Sequence, residues 1–142
     1  MTQKEMEDKL REINICYSNR AGELMTANQI KVTEIEGEII NAKTDHDKKL
    51  IELHEEYQSL NTKEIELRRQ GLTHLSVEVD GIRKKKDENK NRQRHLQLAF
   101  CQKMHELKIR RSAARIELNQ ALNENAQMRN KAKKEAMAQL NK

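Results

Sequence analysis

The chain of 142 residues carries 28 Lys and Arg, 23 Asp and Glu, three aromatic side chains and no proline. Leu, Ile, Val and Phe together make up about a fifth of the residues, which is too little to line the interior of a compact enzyme domain. The composition therefore excludes a conventional globular enzyme and favours long helices that each bury one narrow stripe.

The charge is divided unevenly along the chain. Residues 1–71 carry 11 basic and 15 acidic side chains, whereas residues 72–142 carry 17 basic and 8 acidic ones. Since an acidic half and a basic half can pair with each other, the net charge of +5 is a poor argument for a nucleic-acid partner. The N-terminal sequence has no apolar run for a signal or a membrane span, so we expect a cytoplasmic protein, or part of an assembly built from the cytosol.

The first predicted element is a helix over residues 3–70. Thr2 and Glu5 have the spacing of a capping box, which marks the start of a helix. Apolar, small or isolated polar residues then recur every three or four positions, as on one face of a coiled-coil helix. This first stripe consists of Met6, Leu10, Ile13, Tyr17, Ala21, Leu24, Asn28, Val32, Ile35, Ile39, Ala42, His46, Leu50, Leu53, Tyr57 and Leu60.

A stop signal lies at residues 68–72, which read RRQGL. Two cations in a last turn, a glycine able to adopt the left-handed cap and an apolar residue after it are typical of a helix end. Because Gly71 lies at the midpoint of the chain, a hinge there predicts an antiparallel hairpin with a second arm over 72–141. The alternatives are a turn at Asp80-Gly81 and a continuous helix that tolerates its glycines.

The second arm carries two apolar stripes. The inner stripe consists of Leu96, Phe100, Met104, Leu107, Arg111, Ala114, Leu118, Ala121, Asn125, Met128, Ala132, Ala136 and Leu140. The outer stripe consists of Leu98, Cys101, His105, Ile109, Ala113 and Ile116. A face this wide exceeds what one partner helix covers, so the hairpin is predicted to associate into a larger helical bundle.

These stripes assign packing roles within a single elongated domain over residues 1–142. The hairpin seam is assigned to Ile35, Ile39, Leu50, Leu53, Leu107 and Leu118. The contact with another copy is assigned to Leu98, Ile109 and Ile116. Polar residues at seam positions penalise a wrong register, and we expect Asn28, Arg111 and Asn125 to set the alignment or the number of copies.

A basic segment over residues 83–94 interrupts the apolar stripe. Its seven cations are Arg83, Lys84, Lys85, Lys86, Lys90, Arg92 and Arg94, against two acids. Such a segment can bind a polyanion through phosphate contacts, but it contains no aromatic residue to stack on bases. Glu52, Glu55 and Glu56 would lie opposite it in a hairpin, which favours a solvated and partly self-paired helix face.

Cysteine and histidine spacing favours packing over a metal or catalytic centre. Cys101 and His105 lie one helical turn apart, but zinc needs three or four ligands and both residues belong to the outer stripe. His46 belongs to the first stripe and is interpreted as a polar seam residue, because catalysis also needs a concave pocket. Cys16 and Cys101 are read as reduced thiols. We expect no enzymatic activity, cofactor, metal or small-molecule substrate.

In size and in its basic hairpin, the chain resembles the helical stalk proteins of type III secretion and flagellar export ATPases. Helical virion components and bundle-forming adaptors are similar to the same degree, and no residue matches a family motif. The residues themselves favour a non-enzymatic coiled-coil structural or interaction protein that forms homo-oligomers and docks other helical proteins. The alternatives are a nucleic-acid-binding or chaperoning protein acting through residues 83–94, an export-ATPase stalk and a virion component.

Overall fold

The computed structural model describes residues 2–73 and 75–140, without the side chain of Leu140. It contains two long helices, α1 over Gln3–Arg69 and α2 over Val77–Leu140, packed against each other as a hairpin. No described residue lies in a β-strand. The predicted all-α helical hairpin is therefore confirmed.

The helices are divided between two compact units. The terminal unit combines Met1–Glu36 with Lys108–Lys142, and the hinge unit is Gly37–Leu107. Each unit contains a segment of both helices, so both segments find a partner within their own unit. The assignment of one domain to the whole chain stays a prediction.

The start of α1 is fixed by the predicted capping box. The Thr2 backbone N–H donates to Oε2 of Glu5 at 3.3 Å, and the Glu5 backbone N–H donates to Oγ1 of Thr2 at 3.2 Å. The two bonds satisfy backbone donors that the helix itself leaves without a partner. A local sequence pattern thus determines where the first helix begins.

Gly71 ends α1 in a Schellman motif, as the stop signal predicts. Its φ of +89° lies in the left-handed region, where a side chain is disfavoured. The Gly71 N–H donates to the Arg68 carbonyl at 3.0 Å, and the Leu72 N–H donates to the Leu67 carbonyl at 3.1 Å. These are the two bonds that define the motif, and they satisfy carbonyls of the last turn.

The second helix starts at Val77, five residues later than the predicted arm over 72–141. Thr73 and Ser76 form a turn, in which the Ser76 N–H and hydroxyl both donate to the Thr73 carbonyl, at 3.0 and 2.6 Å. The Ser76 carbonyl then accepts the first helical bond, from the Asp80 N–H at 3.0 Å. Ser76 is therefore the N-cap of α2, and the predicted end at residue 141 lies outside the described residues.

We expect alanine to have opposite effects at Gly71 and at Gly81. Gly71→Ala should lower the free energy of unfolding by about 1 kcal/mol, because a side chain is strained at positive φ. Gly81 lies inside α2, and nothing beyond its own helical turn lies within 4 Å of the position that a Cβ would occupy, so Gly81→Ala should raise it by about 1 kcal/mol. Urea denaturation followed by circular dichroism measures both. Equal effects would contradict the assignment of the turn to Gly71 rather than to Asp80-Gly81.

The side chains between the helices follow the predicted stripes closely. All sixteen residues of the first stripe are buried or half-buried. On the inner stripe of α2, Met128 is 44% exposed, and Arg129 is half-buried in its place. Arg129 lies one four-residue step after Asn125, which keeps the helical spacing of the seam. The expected position of Met128 on the inner stripe is therefore corrected by one residue.

Candidate functional site

Polar side chains continue the seam of the hinge unit through the basic segment. Lys86, Asn89 and Gln93 occupy the three- and four-residue steps between Ile82 and Leu96, and all three are buried or half-buried. Asn89 is fully buried. The apolar stripe stops here as predicted, but the contact between the helices does not.

Lys86 lies at the centre of this polar seam. Its Nζ donates to Oε2 of Glu64 at 2.8 Å and to Oδ1 of Asn61 at 3.0 Å. The same Nζ lies 5.1 Å from the centroid of the Tyr57 ring, and Nζ of Lys90 lies 4.6 Å from that centroid. The Lys86 and Glu64 side chains are only 16% and 10% exposed, so their attraction is weakly screened by solvent.

The Glu64 carboxylate is held in its charged form by its neighbours. The hydrogen bond from Lys86 holds the pKa of Glu64 below its ordinary value of 4.5, although burial acts in the opposite direction. Arg68, whose Nη2 lies 3.1 Å from Oε1 of Glu64, lowers the pKa further. The site therefore binds the carboxylate more strongly than the protonated acid.

Acid should weaken the hinge unit through Glu64. Because the pKa of Glu64 is lower in the folded chain than in the unfolded chain, its stabilising effect is present above pH 4.5 and is lost as the pH falls through the folded-state pKa. Glu64→Gln keeps the shape of the side chain and removes this titration. We expect the difference in unfolding free energy between wild type and Glu64→Gln to shrink below pH 4.5, in urea titrations at several pH values. A difference that is constant with pH would contradict the assignment.

Two further cations of the basic segment have acidic partners. Nη2 of Arg92 lies 2.6 Å from Oε1 of Glu56 on α1, and Nζ of Lys84 lies 3.1 Å from Oδ2 of Asp80 one turn earlier on α2. Glu56 is one of the acids predicted to lie opposite the segment. Both pairs are largely exposed, so each contributes little to stability.

The remaining cations of the segment face solvent. Arg83 and Lys85 are exposed and take part in no ion pair of the described residues. Arg94 is exposed and donates from Nη1 to Oδ1 of Asn91 at 3.5 Å. The seven cations proposed as one polyanion-binding set thus have different surroundings, and Lys86 belongs to the seam.

Three asparagines tie one helix to backbone carbonyls of the other. The Nδ2 donors and carbonyl acceptors are Asn28 and Ala114 at 2.8 Å, Asn89 and Leu53 at 2.9 Å, and Asn125 and Tyr17 at 2.9 Å. In each pair the two residues are equally far from Gly71 in the sequence. A slip of one residue would remove the acceptor from each amide, so these bonds favour one register within their unit. The third predicted register residue, Arg111, is half-buried.

His46 lies in the seam of the hinge unit as a stacked ring. Its centroid is 4.1 Å from that of Phe100, and the two ring planes differ by 17°. His46 is half-buried, and its Nδ1 is buried without a hydrogen-bond partner among the described residues. This is the environment of a packing residue, and it matches the interpretation of His46 as part of the seam.

The residues assigned to the seam and to the outer face differ in exposure. Among the six assigned to the seam, Ile35, Ile39 and Leu107 are buried, and Leu50, Leu53 and Leu118 are half-buried. The three assigned to contact with another copy are Leu98, Ile109 and Ile116, at 63%, 54% and 57% exposure. The outer stripe therefore presents large apolar side chains to solvent.

Other kinds of site are absent from the part of the chain that the structure describes. It contains no group of three His, Cys, Asp or Glu side chains able to hold a metal ion. Cys16 and Cys101 are exposed free thiols. Neither described helix has an apolar stretch of the length needed to cross a membrane.

Sequence reasoning identified Asn28, Asn125 and His46 as seam residues but missed Lys86, Asn89 and Glu64. The available signal was the spacing itself, because residues 82, 86, 89, 93 and 96 keep the helical period although the middle three are polar. Comparison of the chain with protein-family models, with curated proteins and with solved structures gives no match.

Proposed function

We propose that the chain is a non-enzymatic coiled-coil structural or interaction protein of the cytosol. It associates with further copies of itself and docks helical partners in a larger assembly. The observation that carries this proposal is the exposure of Leu98, Ile109 and Ile116, each more than half exposed on a helix whose opposite side is already packed. Regularly spaced large apolar residues on the free side of a helix are typical of an interface.

The distribution of polar groups also supports an interaction protein. Asn28, Asn89 and Asn125 each donate a hydrogen bond to a backbone carbonyl of the other helix, and Lys86 and Glu64 bond to each other. These groups are used to hold the hairpin in register. The uncommitted surface is the outer apolar face, which suits recognition by packing.

Light scattering over a range of protein concentrations, at low and at high salt, tests the self-association. We expect a molar mass above the 16.7 kDa of one chain, rising with concentration and retained at high salt because the contacts are apolar. A mass of 16.7 kDa at every concentration would contradict self-association. Crosslinking in cells that produce the chain then tests whether helical proteins of other kinds dock on it.

A second candidate function is polyanion binding by the exposed part of the basic segment. The observation that favours it is the absence of an acidic partner for Arg83 and Lys85 among the described residues. Fluorescence anisotropy with labelled RNA and DNA should then show binding that weakens steeply with salt and is lost in an Arg83→Glu, Lys85→Glu variant. Lys86 is left unchanged in this test because it is needed in the seam. Absence of binding at low salt would remove this candidate.

A further inference from the structure

Residues on the back of each helix can be identified from the seam. A residue midway between two seam residues four apart is rotated by about 200° from each, so it points away from the partner helix. In the terminal unit these back positions are Ile15, Asn19, Thr26 and Ile30 on α1, and Ile109, Ile116, Asn123 and Gln127 on α2. All eight are exposed and uncharged, in a chain with 36% charged residues. Such uncharged outer faces are suited to contact with another helix.

The two back faces have complementary shapes. The back of α1 contains an open groove of about 680 Å³, lined by Ser18, Gly22, Thr26 and Ile30 among others. The Thr26 hydroxyl donates to the Gly22 carbonyl at 2.9 Å, so the groove does not present an unsatisfied hydroxyl to an incoming apolar side chain. The back of α2 instead presents the large side chains of Ile109 and Ile116. A groove on α1 can receive such side chains from α2 of another molecule.

The charges beside the two faces are complementary as well. Residues 3–36 carry five basic and seven acidic side chains, whereas residues 108–140 carry eight basic and three acidic ones. Packing α1 of one copy on α2 of another therefore brings opposite net charges together, and packing α2 on α2 brings like charges together.

Individual charges flank the α1 face in a regular row. Glu12, Glu23 and Glu34 are spaced by 11 residues, which is close to three helical turns, so they lie along one side of α1. All three are exposed, and no ion pair among the described residues includes them. On α2, Lys108 and Arg115 are likewise exposed and take part in no such pair. Acids of one copy are thus available to cations of the next.

We propose that the terminal unit binds a second copy of this chain by packing the back of its α1 against the back of the neighbour's α2. This inference rests on the self-association proposed above and specifies the two surfaces that make it. Because the two surfaces differ, each bound copy still has one free α1 back and one free α2 back. The interface is therefore heterologous, and association continues into a row of hairpins or closes into a ring.

Two variants, each blocked on one face, test this pairing by light scattering. Ile30→Lys places a charge on the back of α1, and Ile116→Lys places one on the back of α2, at side chains that are 58% and 57% exposed. We expect each variant alone to have the mass of one chain, 16.7 kDa, with unchanged helicity by circular dichroism. An equimolar mixture should have about twice that mass, because the intact α2 back of one variant meets the intact α1 back of the other and the pair cannot grow.

Matched controls and contrary results separate this proposal from self-association in general. Met25→Lys and Met128→Lys add the same charge at exposed methionines of α1 and α2 that are not back positions, and both should associate like the wild type. If either blocked variant associates like the wild type, or if the mixture stays monomeric, the proposed pairing is wrong while self-association stands. A wild-type chain that is itself monomeric at every concentration would overturn both.

Discussion

Replacement of Lys86 by glutamate should lower the free energy of unfolding by about 3 kcal/mol, as expected when one partner of a nearly buried ion pair is removed. The new carboxylate would face Glu64, which the seam holds in its charged form. It would also leave Asn61 without the donor that now lies 3.0 Å from its Oδ1, and Tyr57 without the cation near its ring. Urea denaturation at neutral pH, followed by circular dichroism, measures the loss.

Lys85→Glu provides the matched control for this prediction. It makes the same change of charge at the neighbouring residue, which is exposed and has no ion-pair partner among the described residues. We expect it to change the free energy of unfolding by no more than about 0.5 kcal/mol. Similar losses in both variants would mean that the total charge of the segment matters rather than the position of Lys86.

The parts of the fold that sequence predicted well are those determined by nearby residues. The bonds between Thr2 and Glu5 and the Schellman motif at Gly71 each involve groups only a few residues apart, so their patterns can be read directly from the sequence. The apolar stripe of α1 is equally local, since its period depends on helix geometry alone. These features together determine the hairpin.

Two parts of the structure depended on chemistry that apolar patterning does not register. Ser76 caps α2 through its carbonyl and is fixed by a turn with Thr73, so the helix starts later than the glycine signal alone suggests. Lys86 enters the seam because its acidic partner, Glu64, lies across the turn. That contact depends on the register of the two helices, which a search for apolar residues does not provide.

The polar seam residues make the register specific where apolar packing alone would permit slips. Leucine and isoleucine side chains can pack in several alignments, whereas the amide of Asn89 reaches the Leu53 carbonyl in one. Gln93 in turn donates from Nε2 to Oδ1 of Asn89 at 2.6 Å, which satisfies the other end of the buried amide. A buried asparagine with both ends bonded therefore selects one alignment without leaving an unsatisfied polar group.

Leu107→Ala should lower the free energy of unfolding by about 3 kcal/mol, because Leu107 is 1% exposed and its truncation leaves a cavity in the seam. Leu53→Ala is the matched comparison, as it deletes the same atoms from a half-buried seam position, and it should cost about 1 kcal/mol. Urea denaturation of both variants measures the difference. Equal losses would show that burial in the hairpin alone does not rank these positions, and that Leu53 is covered by a further molecule. An unchanged stability of Leu107→Ala would contradict the seam itself.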